Sequence, residues 1–401
     1  MTTTKNNEHK KLNFSSEQEQ SQACLNSAEH EKNQGRKVLN VPNLRFPKFQ
    51  GEWEEYRIED ITVNISSGRC KSHSSNGKYN LYGSTGIIGK TDEACYEGNL
   101  VLVARVGANA GFLQIINEPC GITDNTLIIK SKKIDAQYIY YFLLHFNLNR
   151  LIFGSGQPLI TGSMLKKVKI SLGNIQEQNK LTRLLSLLDE RIATQSKIIE
   201  DLKKLKSAII EKEYSNKTKS FSRLGDFIEQ ISKRNKDRAI HNVLSVSNSQ
   251  GFIQQSEQFE NRIVASDDTS NYKIVERNHF AFNPARINVG SIARLITFEK
   301  GIVSPMYICF RTKDSLFPKY LGYYFESKQF FIEIQKRLEG SVRQCLSFEG
   351  LCNIPLSIPT VEVQQQIGKQ LSTLVQKIKL ETDFLELLQK QKKFLLHQMF
   401  I

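Results

Sequence analysis

Two polar stretches carry the side chains best suited to chemistry, "SSGRCKSHSSNGKYNLYGSTG" at 66–86 and "SKRNKDRAIHN" at 232–242. Arginine and lysine hold phosphates, while Arg, Asn, Gln and Tyr offer donors and acceptors that match base edges in a duplex groove. The candidate DNA contacts are Arg69, Lys71, Lys78, Tyr79, Arg105 and Gln157 in the first half of the chain. Their counterparts in the second half are Arg234, Lys236, Arg238, Arg286, Arg343 and Gln344. A solvated loop with ordinary surface ion pairs is the competing reading of each. Catalytic patterns are missing: there is no G-x-G-x-x-G after a strand, no G-x-x-x-x-G-K-[ST], no H-E-x-x-H and no G-x-S-x-G. "FNPA" at 282–285 lacks the second proline and the aromatic of an Asn-Pro-Pro-Tyr methyltransferase element. The seven histidines show no ligand spacing, and the seven cysteines contain no C-x-x-C pair, so reduced core thiols are expected, with no catalytic residue and no metal.

Such loops need a scaffold. Short β-like runs ("GNLVLVARV", "NTLIIKS", "SIARLITF", "MYICFRT") alternate with glycine-rich turns, and each half holds an aromatic helix-like stretch, "AQYIYYFLLHF" or "KYLGYYFESKQFF". The fold class that follows is α+β, with two tandem globular domains at 42–172 and 221–359. Each precedes a long helix, at 173–220 and 360–401. Residues 1–41 are polar and low in aromatics, so they are expected to form a disordered tail.

The halves repeat one another. From Gly154 and Gly340 a constant offset of 186 aligns the chain without a gap to Tyr214 and Phe400, pairing Ile160 with Leu346, Leu165 with Leu351 and Val168 with Ile354. Further upstream, Arg57 and Asp60 face Arg223 and Asp226, and Ala104-Arg105 is set opposite Ala285-Arg286. Asn174 with Glu177 has capping-box spacing, and Thr360 is an N-cap candidate. Heptad positions read Leu181, Leu185, Leu188, Ile192, Gln195, Ile199, Leu202, Lys206, Ile209, and then Ile367, Leu371, Leu374, Ile378, Glu381, Leu385, Leu388, Lys392, Leu395. Both seams are interrupted at the same two places. A helix of about 40 residues with so narrow a stripe needs a partner stripe, so an antiparallel coiled coil is expected between the copies.

The net charge of +14 suits a polyanionic partner. It is spread evenly: 42–172 holds 15 basic and 11 acidic residues, and 221–359 holds 18 and 14. No apolar run approaches the roughly 20 residues of a membrane helix, and "MTTTKNNEHKKLNFSSEQEQSQ" lacks a signal-peptide core, so a cytoplasmic protein is expected.

The duplicated unit with its long helix, the entry "PNLRFPKFQGEWEEYRIEDI", the segments "GSGQPLI" and "GSVRQCLS", and the helix ends "KSAIIEKEY" and "KKFLLHQMF" together resemble the specificity subunit of type I restriction-modification systems. The resemblance covers 42–401 and rests on the whole arrangement. It implies a non-catalytic subunit whose two domains each read half of a split DNA target, with the helices as spacer and docking surface. The implied partners are double-stranded DNA, two adenine-methyltransferase subunits and restriction (translocase) subunits. S-adenosylmethionine, ATP and magnesium would sit on those partners, leaving no cofactor bound by this chain. A coiled-coil scaffold or adaptor without nucleic-acid specificity stays open as the alternative.

Overall fold

The computed structural model describes residues 39–70, 74, 76–152, 157–215, 222–248, 250–258, 268–340 and 344–401. Lys71, Arg343 and the expected tail up to residue 38 lie outside them. The chain divides into two units, Met1–Asp189 with Lys390–Ile401, and Glu190–Gln389.

In the first unit the apolar run of β5 (Asn99–Ala104) is continuous because both faces of the strand are covered. It lies inside an antiparallel sheet of order β2 (Thr62–Ser67), β8 (Thr126–Ser131), β5, β6 (Leu113–Asn117). Val101 and Val103 face a core under the aromatic helix Ala136–Phe146, while Leu100 and Leu102 join Ile116, Cys120, Ile122 and Ile128 in a second core. A smaller sheet of β3 (Tyr79–Gly83), β4 (Gly86–Thr91) and β7 (Cys120–Ile122) carries the end of the first polar stretch, from Tyr79 onward. The aromatic helix starts where Asp135 accepts from the Gln137 N–H at 2.9 Å, and it stops at Asn147, which is left-handed at φ 57°. Asn40, which the sequence reading leaves in the tail, accepts from the Trp53 N–H at 2.7 Å.

The second unit repeats this plan with β10 (Ile228–Ile231), β17 (Ile308–Thr312), β14 (Phe280–Phe282) and β15 (Ile292–Arg294). Beside it lies a sheet of β12 (Gly251–Gln254), β11 (Val243–Ser247), β16 (Lys300–Val303) and β13 (Lys273–Glu276). The two-domain α+β architecture and the antiparallel helix pair are as expected from the sequence.

Each core takes residues from both long helices, Ile175–Tyr214 and Val361–Met399. The first core takes Leu181 and Leu185 from the start of one helix with Met399 and Phe400 from the end of the other. The second takes Ile367 and Leu371 with Ile210 and Tyr214. The aromatic contacts correspond copy by copy. The Phe400 ring lies 5.3 Å from Tyr138, and that of Tyr214 lies 4.8 Å from Tyr320. Each unit thus needs one end of both helices.

The two seam interruptions have different explanations. The Gln195 amide donates to the Glu381 carboxylate at 2.5 Å and to its carbonyl at 3.0 Å. These are repeat equivalents facing each other, and a helix paired antiparallel with its own copy has one such level. A polar pair there fixes register. The lysines instead turn outward. Lys392 pairs with Asp189 at 2.5 Å and lies 5.7 Å from the Tyr141 ring, while Lys206 pairs with Glu326 and lies 5.8 Å from the Tyr323 ring.

The first unit has a titratable contact at this closure. His145 stacks on Phe400 at 5.9 Å and lies 6.1 Å from His397. Burial, then the charges of His397 and Arg150, lower the His145 pKa against an opposing hydrogen bond to the Leu396 backbone. The unfolded chain therefore takes up the proton first as pH falls through about 6.5. Stability of this unit is fully present above that pH and declines below it. Urea midpoints read from Trp53 fluorescence should drop between pH 7.5 and 5.5, and His145→Gln should flatten the profile; an unchanged slope would exclude His145 as the source.

Candidate nucleic-acid interface

Of the described first-unit candidates, Arg69, Tyr79 and Arg105 are tied to the segment at and just beyond the end of β2. Arg69 is exposed, and the following residue is anchored where the Cys70 N–H donates to Ile122 O at 2.9 Å. The Cys70 thiol lies 3.7 Å from Thr91 Oγ1, and Thr91 pairs across the hairpin with Tyr79. Lys78 is exposed, with its ammonium 5.2 Å from the Tyr79 ring. Arg105 is half-buried: Nη1 donates to Ser67 Oγ at 3.4 Å, and Nε has no partner among the described residues. Its carbonyl accepts from the Ile160 N–H at 2.8 Å, and the Gly107 N–H donates to Pro158 O at 3.0 Å. The exposed Gln157 is thereby held beside the Arg105 loop.

The second unit holds two groups. Arg234, Lys236 and Arg238 are exposed on one loop, where Arg234 donates to Asn271 at 3.0 Å and Arg238 pairs with Asp268 at 3.2 Å. Arg286 is exposed beside Pro284, whose carbonyl accepts from the Leu346 N–H at 3.0 Å, so the exposed Gln344 is held near it. No side-chain bond joins the loop trio to this second group among the described residues.

That last backbone bond corrects an alignment. Ile160 and Leu346 are repeat equivalents, and their N–H groups donate to Arg105 and Pro284. The counterpart of Arg105 is therefore Pro284, and Arg286 lies two residues further along the turn.

Sequence reasoning missed the groups that hold these loops. Asn235 is fully buried; its amide donates to Ile240 O at 2.9 Å and its oxygen accepts from the Ile240 N–H at 3.2 Å, stapling the Arg234–Arg238 loop. Glu118 accepts from Asn80 and Tyr82, both at 2.7 Å, and these bonds lower its pKa while burial and Glu118 push Tyr82 up to about 12. Neither residue stands out from its polar neighbours in sequence.

Phosphate and base-edge contact is what such exposed, pre-positioned guanidinium and amide groups can provide. Among the described residues no cluster of His, Cys, Asp or Glu could hold a metal, and no helix is long and apolar enough to cross a membrane. The model of the type I restriction modification DNA specificity domain matches residues 50–204 and again 216–390. The chain belongs to this family. Each matched segment contains one set of candidate contacts.

The MjaVIII specificity subunit of Methanocaldococcus jannaschii is 29% identical over 182 residues, a stretch covering 44% of this chain and 38% of that protein. The EcoprrI specificity subunit of Escherichia coli is 24% identical over 131 residues, covering 32% of each chain. The matched stretches thus span about a third of these relatives' length. Among solved structures, the type I S subunit from M. genitalium superposes with a TM-score of 0.61 at 18% identity, covering 90% of this chain and 99% of that one. A chain from a structure on complex assembly and conformational transition of the type I system gives 0.51 at 12% identity, covering 87% and 97%. At these identities the likeness concerns the fold.

Proposed function

We propose that this chain is the specificity subunit of a type I restriction-modification complex. It reads a split duplex target, one half-site per domain, and directs two adenine-methyltransferase subunits and the restriction subunits to it. The observation that carries the reading is the pair of complete domains, each closed by one end of both helices yet bearing unlike basic loops. Shared closure gives partner enzymes a dock at the same place on each domain, and unlike loops give unlike half-sites. Phosphate contacts supply salt-dependent affinity, and each good base-edge contact adds roughly 1–3 kcal/mol of discrimination. The target adenine must leave the stack to react, a task for the partner enzyme. S-adenosylmethionine, ATP and magnesium belong on those partners, and nothing in this chain's own residues is assigned to a chemical step.

The test is an exchange of residues 221–340 for the matching segment of a relative, followed by sequencing of methylated adenines in cells carrying the intact system. One half-site should change and the other persist. A simultaneous change in both would defeat the two-reader model, and methylation indifferent to this chain would favour a scaffold.

A further inference from the structure

The two copies differ at one pair of facing elements. In β6 the residue opposite Val101 is Ile115, and in β15 the residue opposite Phe280 is Arg294. These positions correspond, because the Ala104 N–H donates to Phe112 O just as the Asn283 N–H donates to Ser291 O. On the aromatic helices, Tyr140 stands where the second copy has Gly322, counting from the matched Tyr138/Tyr320 and Tyr141/Tyr323. Ile115 and Tyr140 both pack on the first core. The second copy has replaced them with a guanidinium and a missing side chain.

The consequence is a larger, charged cleft in the second unit. Its volume is about 620 Å³, against about 290 Å³ for the corresponding space in the first unit, which has no charged lining. Arg294, Lys319, Ile292, Ile296, Phe325 and Phe331 line it. Arg294 is half-buried, and burial lowers its pKa. Its side chain has no hydrogen bond or ion pair among the described residues, whereas Lys206 at the same cleft is already matched by Glu326. A partly desolvated cation without a counter-charge is costly, in a position that isoleucine fills in the sister domain. Ile296 and Phe331 at the cleft remain 54% and 52% exposed. Exposed apolar side chains around a central arginine suit a protein partner, in the manner of an interface hot spot. A phosphate backbone would gain nothing from them.

We infer that this cleft receives an acidic side chain, flanked by apolar residues, from the methyltransferase subunit docked on the second domain. The inference rests on the function proposed above. It makes the two docks unequal, since the first domain offers no cation at the equivalent place.

The experiment titrates the cognate methyltransferase subunit into the full chain, with stoichiometry read by native mass spectrometry and exchange of residues 318–334 read by hydrogen–deuterium exchange. The variant is Arg294→Ile with Gly322→Tyr, which copies the packing of the first domain. A Cβ on Gly322 meets nothing closer than Arg294 Nε at 3.9 Å, and that group is removed in the same variant. Wild type should bind two subunits and protect 318–334. The variant, with an unfolding midpoint at or above wild type, should bind one subunit as before and the other roughly 30-fold or more weakly. Arg294→Lys should fall between them, keeping the charge but losing the bidentate geometry.

Equal binding of both subunits by the variant would overturn the inference while leaving the specificity-subunit reading intact. Protection of 318–334 by duplex DNA alone would also overturn it, by naming a different occupant. Failure of wild type to bind any methyltransferase would remove the reading itself, and the inference with it.

Discussion

Glu177→Ala is expected to destabilise the first unit by about 3–5 kcal/mol, the usual cost of removing one member of a buried ion pair. The carboxylate is 2% exposed and accepts from Arg45 Nε at 2.7 Å, Arg45 Nη2 at 2.8 Å and Trp53 Nε1 at 3.2 Å. Alanine would strand the Trp53 indole N–H and leave the half-buried Arg45 guanidinium with backbone carbonyls only. The site is built around this arrangement: a Cβ at Gly173 would lie 2.5 Å from Glu177 Oε2 and 2.7 Å from Trp53 Nε1. Arg45 also donates to Gly51 O at 2.6 Å, so the network ties the entry segment to the start of the long helix. The second copy has Val363 at the equivalent position, 41% exposed, and no such network. The loss should therefore be confined to one unit. Trp53 is the chain's single tryptophan. Urea unfolding followed by its fluorescence should shift strongly, while exchange protection around Phe280 and Phe310 stays unchanged. Glu177→Gln, which can still accept from the indole, should lose less. A shift below about 1 kcal/mol for Glu177→Ala would show the network to be incidental.

What could be read from the sequence follows from the range of each interaction. Helical periodicity is local, so the seams at 181–209 and 367–395 and their two shared interruptions are visible in the residue order. The constant offset of 186 makes the duplication visible for the same reason. The partner of each interruption is not local. Gln195 meets its own copy, whereas Lys206 and Lys392 leave the seam for tyrosines and carboxylates packed beside it. Asn174 caps as its spacing suggests, with its oxygen accepting from the Glu177 N–H at 2.9 Å, yet the Glu177 carboxylate turns away to Arg45. A capping-box spacing cannot reveal that a stronger partner lies 132 residues upstream. The mismatch between Arg105 and Arg286 has a similar origin, since sequence similarity aligned two Ala-Arg pairs while the backbone hydrogen bonds align their neighbours. Most important for the candidate site, the staple at Asn235 and the exchange of Ile115 and Tyr140 for Arg294 and Gly322 become meaningful only once strands and helices face one another.

Adding one heptad to each long helix should widen the gap between the two half-sites by roughly three base pairs. The first long helix supplies residues to the first core at its start and to the second core at its end, and the other helix does the reverse. Lengthening both by seven residues keeps the apolar seam in phase and adds about 10 Å at 1.5 Å per residue. The insertions must lie at the same level of the pair. Repeat-equivalent positions do not, except where Gln195 meets Glu381. Counting from that level, and from Arg191 lying 5.3 Å from the Phe384 ring, Ile192 is opposite Phe384, so the insertions belong after Ile192 and after Asp383. Both leave the Gln195–Glu381 bond in place, and with it the register. At about 3.4 Å per base pair the added length corresponds to three steps along the duplex. Three steps also rotate one half-site by nearly a third of a turn relative to the other, so a dead variant would speak only to that rotation. The informative result is an active variant whose methylated adenines are sequenced. Unchanged half-sites with a gap longer by about three base pairs would establish the helix pair as the element that sets the spacing. An unchanged gap would transfer that role to the domains themselves.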